Sequence, residues 1–357
     1  MSLPSHVVRK GLTSSTLLAA CLLTTTGSAN AELDRRAVAR LGRSVLRIEA
    51  VNGSGRVLVG SGVIVAGDRV VTNCHVTREA TSVSVVQAGM RSSAEAQASD
   101  MTHDVCLLRV PGLQAAVVPV GRSGLLKQGQ ELLALGYTGG AGLQVSGGSV
   151  VALHRWSGAY VIQCSNGFTS GASGGGLFDK DGALVGILTF RLRGGRAHYY
   201  AAPADWLLDP PGGERRFVEV QPQSGRPFWE ETPDAQPLFL QAAALERDGQ
   251  WAALARLAER WAIQDADDPE SSYLHAVADE GMGRTDAAIA AWRRSLDIDP
   301  DYSRSWARLA RLYHRVGRVV DAQQAISALM ARDPGLALEV SAELNAGQSE
   351  PYGEPNR

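Results

Sequence analysis

The first half of the chain is a series of short apolar runs separated by turn residues. Runs rich in Val, Ile and Leu lie between residues 44 and 203, and Gly, Asp and Ser bound them. Short β-branched runs at such close spacing predict an all-β barrel or sandwich. Helical stretches of ten residues do not separate them, so the pattern disfavours a parallel βαβ sheet.

The second half has a helical pattern that repeats. Gly249, Gly283 and Gly317 lie 34 residues apart, and each separates two amphipathic stretches. A 34-residue helix–turn–helix unit with small and aromatic packing positions resembles the tetratricopeptide repeat. We therefore expect an all-α tetratricopeptide-repeat solenoid of about three units over residues 237–346. An irregular helical bundle is the alternative, and the repeated spacing disfavours it.

Composition separates the two patterns and limits the partners. Residues 209–236 are rich in Pro, Gly and charge, which predicts a linker that lies on the surface of one domain or the other, and residues 347–357 predict a disordered tail. The 357-residue chain is 20% charged and 45% hydrophobic, as globular proteins are. Its net charge of −2 gives no reason to expect a nucleic-acid or membrane-surface partner.

Residues 1–31 predict a signal peptide. A basic pair precedes an uncharged apolar run, and an Ala-Asn-Ala motif ending at Ala31 supplies the small residues that a signal peptidase needs. The run is shorter than the roughly 20 residues of a membrane span. We expect an exported protein, periplasmic or secreted. The sequence LAAC resembles a bacterial lipobox, so a lipoprotein tethered at Cys21 is the alternative.

The stretch GFTSGASGGG at 167–176 surrounds one serine, Ser173, with glycine. A hydroxyl is a weak nucleophile until a base takes its proton and hydrogen-bond donors stabilise the oxyanion that follows. Glycine allows backbone N–H groups to turn toward one point. The stretch therefore predicts a nucleophile at Ser173, with the N–H groups of Gly171 and Ser173 as oxyanion donors. A glycine-rich hairpin with an ordinary serine is the alternative.

Two residues are candidates for the groups that activate this serine. His75 ends the apolar run at 60–76, which predicts an imidazole held at the rim of a sheet. Asp104 opens an apolar strand, where a buried carboxylate needs a partner, and an imidazole N–H is the natural one. Asp100 competes for this role, but several polar residues separate it from the strand.

Three motifs together resemble the chymotrypsin-like serine peptidases, most closely the Deg-type bacterial branch of trypsin-like enzymes. They are TNCHV at 72–76, HDVCLL at 103–108 and GASGGGLFDKDGALVGI at 171–187. The likeness implies an all-β double six-stranded antiparallel barrel in residues 32–208, with a site in the cleft between the barrels. It also implies His75 as general base, Asp104 as the orienting carboxylate and Ser173 as the nucleophile.

The resemblance also implies how substrate binds. A substrate peptide is expected to add as an extra strand along Thr189, Phe190 and Arg191. The specificity pocket is expected to be lined by Phe168, Ala197 and Tyr199. Gly167 stands where trypsin-type members keep an acidic pocket residue, so no preference for Arg or Lys is expected. The pocket residues favour a small or aliphatic residue before the cut.

The cysteines can be explained structurally. Cys74 precedes the predicted base and Cys106 lies two residues beyond Asp104, so a Cys74–Cys106 disulfide is geometrically possible if these strands are adjacent. Buried free thiols are the alternative, and Cys164 is expected to be unpaired. The chain has no CxxC or HExxH pair, so we predict no metal site and no cofactor.

Two functions follow from these observations. The first is an exported serine endopeptidase that hydrolyses peptide bonds through an acyl-enzyme, with a repeat domain that binds the protein substrate or a protein partner. The second is a binding scaffold in which the repeats act and the barrel is catalytically silent. Four arginines in one helix stripe could hold acidic peptide tails, although a solvated charged face explains them better: Arg304, Arg308, Arg311 and Arg315.

Overall fold

The structure is a computed structural model that describes residues 35–114, 116–139, 142–192, 199–210, 213 and 215–346. The predicted signal peptide with Cys21, the predicted tail and Ala197 lie outside the described residues. Of the helices within them, none is long and apolar enough to cross a bilayer.

The described chain begins with a short helix, α1 (Arg35–Gly42), and seven strands. A single helical turn, α2 (Cys74–Thr77), follows the third strand. The strands are β1 (Val45–Asn52), β2 (Val57–Ala66), β3 (Arg69–Thr72), β4 (Ala80–Gln87), β5 (Met90–Ser93), β6 (Ala96–Asp100) and β7 (Val105–Arg109).

The next six strands form a closed antiparallel barrel, as predicted. They are β8 (Glu131–Thr138), β9 (Gly142–Trp156), β10 (Ala159–Cys164), β11 (Gly176–Phe178), β12 (Leu184–Arg191) and β13 (Tyr199–Pro203). They pair in the order β10-β13-β12-β11-β8-β9. A one-turn helix, α3 (Asp205–Leu208), and a two-residue strand, β14 (Val218–Glu219), follow.

The first sheet differs from the predicted six-stranded barrel. It has eight strands in the order β14-β6-β7-β3-β2-β1-β4-β5, so β14 and β5 are its two ends. The extra strand β14 pairs Val218 with Gln97 and Glu219 with Ala96. The predicted linker thus extends the sheet beyond β6, and the sheet remains open instead of closing on itself.

Strand β12 shows why the barrel strands are so apolar. Seven of its eight residues are buried. Val185 and Leu188 belong to the barrel core, whereas Leu184 and Ile187 join a larger core that continues into the helices. A strand covered on both faces needs a nearly continuous apolar sequence, and LVGILTF supplies it.

The connecting segment, residues 215–237, lies along the surface of the sheets, with most of its residues exposed or half-buried, but it buries an aromatic ring that its composition does not predict. Phe228 is only 2% exposed and contacts the rings of Trp156 and Phe190. Trp229 stacks on Phe190, with ring centroids 5.3 Å apart. Because burial of large aromatic rings is strongly favourable, this segment packs on both sheets.

Seven helices follow up to residue 346, where the description ends, and they form three antiparallel pairs and a final helix, which we call the helical domain. They are α4 (Leu238–Arg247), α5 (Trp251–Gln264), α6 (Pro269–Gly281), α7 (Thr285–Ile298), α8 (Ser303–Arg315), α9 (Val319–Met330) and α10 (Pro334–Ala346). Gly249, Gly283 and Gly317 each lie in the turn within a pair, as the spacing predicts.

The helical domain contacts the barrel through a buried charged cluster. Nδ1 of His154 in β9 lies 2.8 Å from Oε2 of Glu270 in α6, and Arg304 of α8 lies 3.2 Å from Oε1 of the same carboxylate. His154 also stacks on Phe239 of α4, with centroids 4.5 Å apart. A charge buried this deeply requires such partners, so the contact is specific.

The arginine stripe of α8 is already paired. Arg304 contacts Glu270, Arg308 contacts Glu246 and Glu280, Arg311 contacts Glu343, and Arg315 contacts Glu280. The stripe is therefore not a set of free cations, because each arginine already has a carboxylate partner. Its partners come from neighbouring helices, which the spacing within α8 cannot reveal.

Asp268 at the start of α6 makes folding stability depend on pH. Its Oδ1 accepts from the Glu270 N–H at 3.0 Å, and its Oδ2 accepts from the Trp261 indole at 3.2 Å. Burial, and then the negative charge of Glu270, raise the pKa of Asp268 to about 6. In the unfolded chain the ordinary pKa is about 3.9. Its contribution to stability is therefore present below about pH 4 and is lost as pH rises to about 6.

We predict that Asp268→Asn removes this pH dependence. Between pH 4 and pH 7.5, the free energy of unfolding of the wild type should fall by about 2 to 3 kcal/mol relative to Asp268→Asn. Urea unfolding of both proteins at the two pH values measures the difference. Asp267→Asn, at an exposed neighbouring position, is the matched control and should follow the wild type. An equal gap between wild type and Asp268→Asn at both pH values would contradict the prediction.

Candidate active site

His75 and Asp104 are brought together by the pairing of β3 with β7. Thr72 at the end of β3 lies opposite Cys106, so the residues just beyond the paired ends face each other. His75 Nδ1 lies 2.6 Å from Asp104 Oδ2, and the His75 backbone N–H donates to Oδ1 at 2.8 Å. Asp104 is completely buried. The contact fixes the orientation of the imidazole and leaves Nε2 as the ring nitrogen that can accept a proton.

A disulfide joins the helical turn α2 to strand β7. Cys74 and Cys106 are bonded, with Cα atoms 4.9 Å apart. The bond therefore joins the residue before His75 to the strand that Asp104 opens. Cys164 is a buried free thiol, and burial raises its pKa to about 12, so it stays protonated at neutral pH.

The loop that carries Ser173 is pressed against the first sheet. The Ser61 N–H donates to the Ser173 carbonyl at 2.8 Å, and the Gly174 N–H donates to the Leu188 carbonyl at 2.8 Å. Gly174 has a φ of 87°, and a Cβ there would lie 2.1 Å from the Ser61 carbonyl oxygen. Only glycine fits this turn, which explains why the sequence keeps one directly after the serine.

A hydrogen-bond network connects Ser173 to the histidine–aspartate pair. The Asn73 side chain donates to the Asp104 carbonyl at 2.8 Å and to the Thr189 hydroxyl at 3.2 Å. The Ser173 hydroxyl donates to the Thr189 carbonyl at 3.4 Å, and within the described residues it makes no hydrogen bond to His75. The three candidate residues thus share one region, but the hydroxyl is turned toward Thr189.

The backbone beside Ser173 presents unused donors. Among the described residues, neither the Gly171 N–H nor the Ser173 N–H donates to a backbone acceptor. Gly171 has a φ of 97°, and Ala172 between the two is buried. Two N–H groups in one tight turn that have no backbone acceptor are suited to bind a developing negative charge.

The predicted substrate-binding residues fall into two groups. Thr189 and Phe190 are buried in β12, and the Phe190 ring is covered by Tyr200 and Trp229. Arg191 is exposed at the end of the strand. Thus only Arg191 of this strand presents a freely exposed side chain, because the connecting segment occupies the space over Phe190.

The predicted pocket wall is partly in place. The Phe168 and Tyr199 rings lie 5.1 Å apart, and Ala197 lies outside the described residues. Gly167, Phe168 and Ala172 help line a cavity of about 30 Å³. That volume holds little more than one water-sized group.

Asp100, the competing carboxylate, belongs to a different cluster. It contacts His103 Nδ1 at 2.8 Å and Arg215 at 3.1 Å. The other ring nitrogen of His103 lies 2.7 Å from Ser157 Oγ, in the exposed turn between β9 and β10. Arg215 balances the charge of Asp100, and the cluster anchors the connecting segment.

Two residues of the site escape sequence reasoning, Asn73 and Trp229. Asn73 lies within the motif TNCHV, but an amide has no chemical signature of its own. The Trp229 indole donates to Asp104 Oδ2 at 3.1 Å. The available signal was the adjacent aromatic pair Phe228–Trp229 in a segment otherwise rich in Pro, Gly and charge.

Family models match both halves of the chain. Residues 60–187 match the trypsin-like peptidase domain, and residues 281–342 match the tetratricopeptide repeat. The resemblances predicted from the motifs and from the 34-residue spacing are thus confirmed. The chain carries a trypsin-like peptidase domain followed by a tetratricopeptide-repeat region.

Particular relatives are serine proteases. The chain is 39% identical over 136 residues to a probable periplasmic serine endoprotease DegP-like of Ectopseudomonas mendocina, covering 36% of this chain and 28% of that protein. It is 32% identical over 171 residues to the serine protease HTRA4 of Mus musculus, covering 45% and 34%. The solved structure of a serine endoprotease from Yersinia pestis is similar at 27% identity and a TM-score of 0.45, covering 49% of this chain and 63% of that one. The aligned part spans about a third of the length of these curated relatives.

We predict that the disulfide contributes measurably to stability. Its cysteines are 32 residues apart, and a loop of that length corresponds to roughly 3 to 4 kcal/mol in the chain-entropy treatment. The double variant Cys74→Ser/Cys106→Ser should lose about that much in urea unfolding. Reductant should produce the same loss in the wild type and none in the double variant. A wild type insensitive to reductant, with its thiols shown to be reduced, would contradict the prediction.

Proposed function

We propose that this protein is a serine endopeptidase in which Ser173 is the nucleophile, His75 the general base and Asp104 the carboxylate that orients it. The observation that carries the proposal is the 2.6 Å contact between His75 Nδ1 and a fully buried carboxylate, beside a glycine-rich loop with free N–H groups. The trypsin-like peptidase match over residues 60–187 supports the same chemistry.

The proposed reaction proceeds through an acyl-enzyme. The Ser173 hydroxyl first rotates from the Thr189 carbonyl toward His75, a change between staggered side-chain positions. Oγ then attacks the peptide carbonyl carbon while His75 Nε2 takes its proton. The N–H groups of Gly171 and Ser173 stabilise the oxyanion. His75 returns the proton to the leaving amine, and a water molecule repeats the sequence to release the acid.

We extend the proposal to substrate, partner and location. A cavity of about 30 Å³ beside Ala172 favours a small residue before the cut. The tetratricopeptide-repeat match supports a helical domain that binds a protein substrate or partner. Relatives are named periplasmic endoproteases, which together with the predicted signal peptide at 1–31 supports a periplasmic location.

The alternative is a catalytically silent barrel that serves a binding scaffold. The observation that favours it is the direction of the Ser173 hydroxyl, which donates to Thr189 and not to His75. In such a scaffold the serine would keep this hydrogen bond and would not react.

A fluorophosphonate probe distinguishes the two functions. The chain from residue 32 onward should be labelled at mildly alkaline pH, and peptide mapping should place the label on Ser173. Ser173→Ala should abolish labelling, and His75→Ala should slow it by roughly 10³-fold or more. Activity on a peptide library should disappear in the same variants.

The chain offers a matched control serine. Ser157 is exposed and, unlike Ser173, it is hydrogen-bonded to an imidazole, that of His103. Ser157→Ala should leave both labelling and peptide hydrolysis unchanged. An unlabelled wild type would support the scaffold, and a label on any other serine would exclude Ser173 as the nucleophile.

A further inference from the structure

The connecting segment places the indole of Trp229 against both the proposed general base, His75, and the proposed orienting carboxylate, Asp104. Trp229 Nε1 donates to Asp104 Oδ2 at 3.1 Å, and its ring system lies perpendicular to the His75 ring, with centroids 5.3 Å apart. Trp229 also stacks nearly parallel on Phe190. A residue 125 positions away from Asp104 therefore fills the space between His75 and the barrel.

The indole acts on one particular oxygen. Oδ1 of Asp104 accepts the His75 backbone N–H, whereas Oδ2 receives both the imidazole and the indole. An indole N–H is only a donor, so it satisfies the carboxylate without competing for the proton that His75 must carry. Two donors on Oδ2 also fix the direction in which this oxygen meets the imidazole.

We propose that Trp229 is a positioning residue for the reaction proposed above, on which this inference rests. Its N–H holds Asp104 Oδ2 in line with His75 Nδ1. Its ring excludes water from one side of the imidazole and limits the movement of the ring. Trp229 touches neither substrate nor the reacting oxygen, and it acts through Asp104 and His75.

The structure also shows what holds Trp229 in place. The Phe228 N–H donates to the Thr102 carbonyl at 2.9 Å, and Glu230 forms an ion pair with Arg78 at 2.5 Å. On the other side, the Gln236 amide donates to the Trp229 carbonyl at 3.1 Å, and Gln241 of α4 donates to the Gln236 carbonyl at 2.7 Å. Trp229 is thus connected to the first helix of the helical domain as well as to the first sheet.

The electrostatic consequence has a definite sign. Without the indole N–H, Oδ2 keeps only the imidazole as donor and attracts the proton of the His75 imidazolium more strongly. The acid limb of the kcat/KM profile should then move to higher pH. Among the described residues, the charged groups near this pair include Arg78, which interacts with Asp104, Glu230, which is paired to Arg78, and Glu79, which also interacts with Arg78.

Trp229→Phe tests the inference because it keeps an aromatic ring and removes the donor. We expect kcat to fall about tenfold and KM to change less than about twofold, since the packing is largely retained. The acid limb should move up by roughly half a pH unit. Trp306→Phe is the matched control. Trp306 lies in α8, and its indole donates to the Pro300 carbonyl and not to the candidate site. This variant should have the same kcat, KM and acid limb as the wild type.

A second measurement does not need activity. In a Ser173→Ala background, the ring signals of His75 followed by NMR should change at a higher pH when Trp229→Phe is added. The same midpoint with and without the substitution, or a fall in thermal stability with no movement of the acid limb, would overturn the inference. If the wild type has no peptidase activity but Trp229→Phe still shifts the midpoint of the His75 ring signals, only the proposed function is overturned.

Discussion

The buried carboxylate of Asp104 is the constraint on which the site depends. A fully buried anion is unfavourable unless donors replace the water that it loses. Here the donors are the backbone and ring of His75 and the indole of Trp229, while Asn73 binds the carbonyl of the same residue. They come from a helical turn after β3 and from a segment that enters more than a hundred residues later. The carboxylate can be satisfied only when both are in position.

Local signals in the sequence were sufficient for much of this arrangement. The glycine-rich loop, the apolar run that ends at His75 and the strand that Asp104 opens each have a pattern within a few residues. The turns within the helix pairs are marked by glycines that recur every 34 residues. The closed barrel follows from short apolar runs such as β12. The structure adds the distance between His75 and Asp104, whereas the catalytic roles of the three residues stay predictions.

The features that sequence reasoning missed depend on contacts between distant parts of the chain. Strand β14 has only two residues and no period of its own, so its pairing with β6 cannot be read locally. The polar composition around Trp229 indicated a linker, although burial is decided by the few aromatic residues within it. Arg304 belongs to a regular basic stripe, yet its partner Glu270 lies on another helix at the barrel contact.

The two sides of the candidate site are held by different interactions, and the connecting segment joins them. The disulfide secures His75 and Asp104 within the first sheet, but Ser173 belongs to the loop before β11 of the barrel. Phe228 and Trp229 pack against Phe190 of the barrel while Trp229 binds Asp104 of the first sheet. The segment continues into α4, whose Phe239 stacks on His154 of β9. Docking of the helices therefore favours the same relative position of the sheets that brings the serine loop beside the histidine.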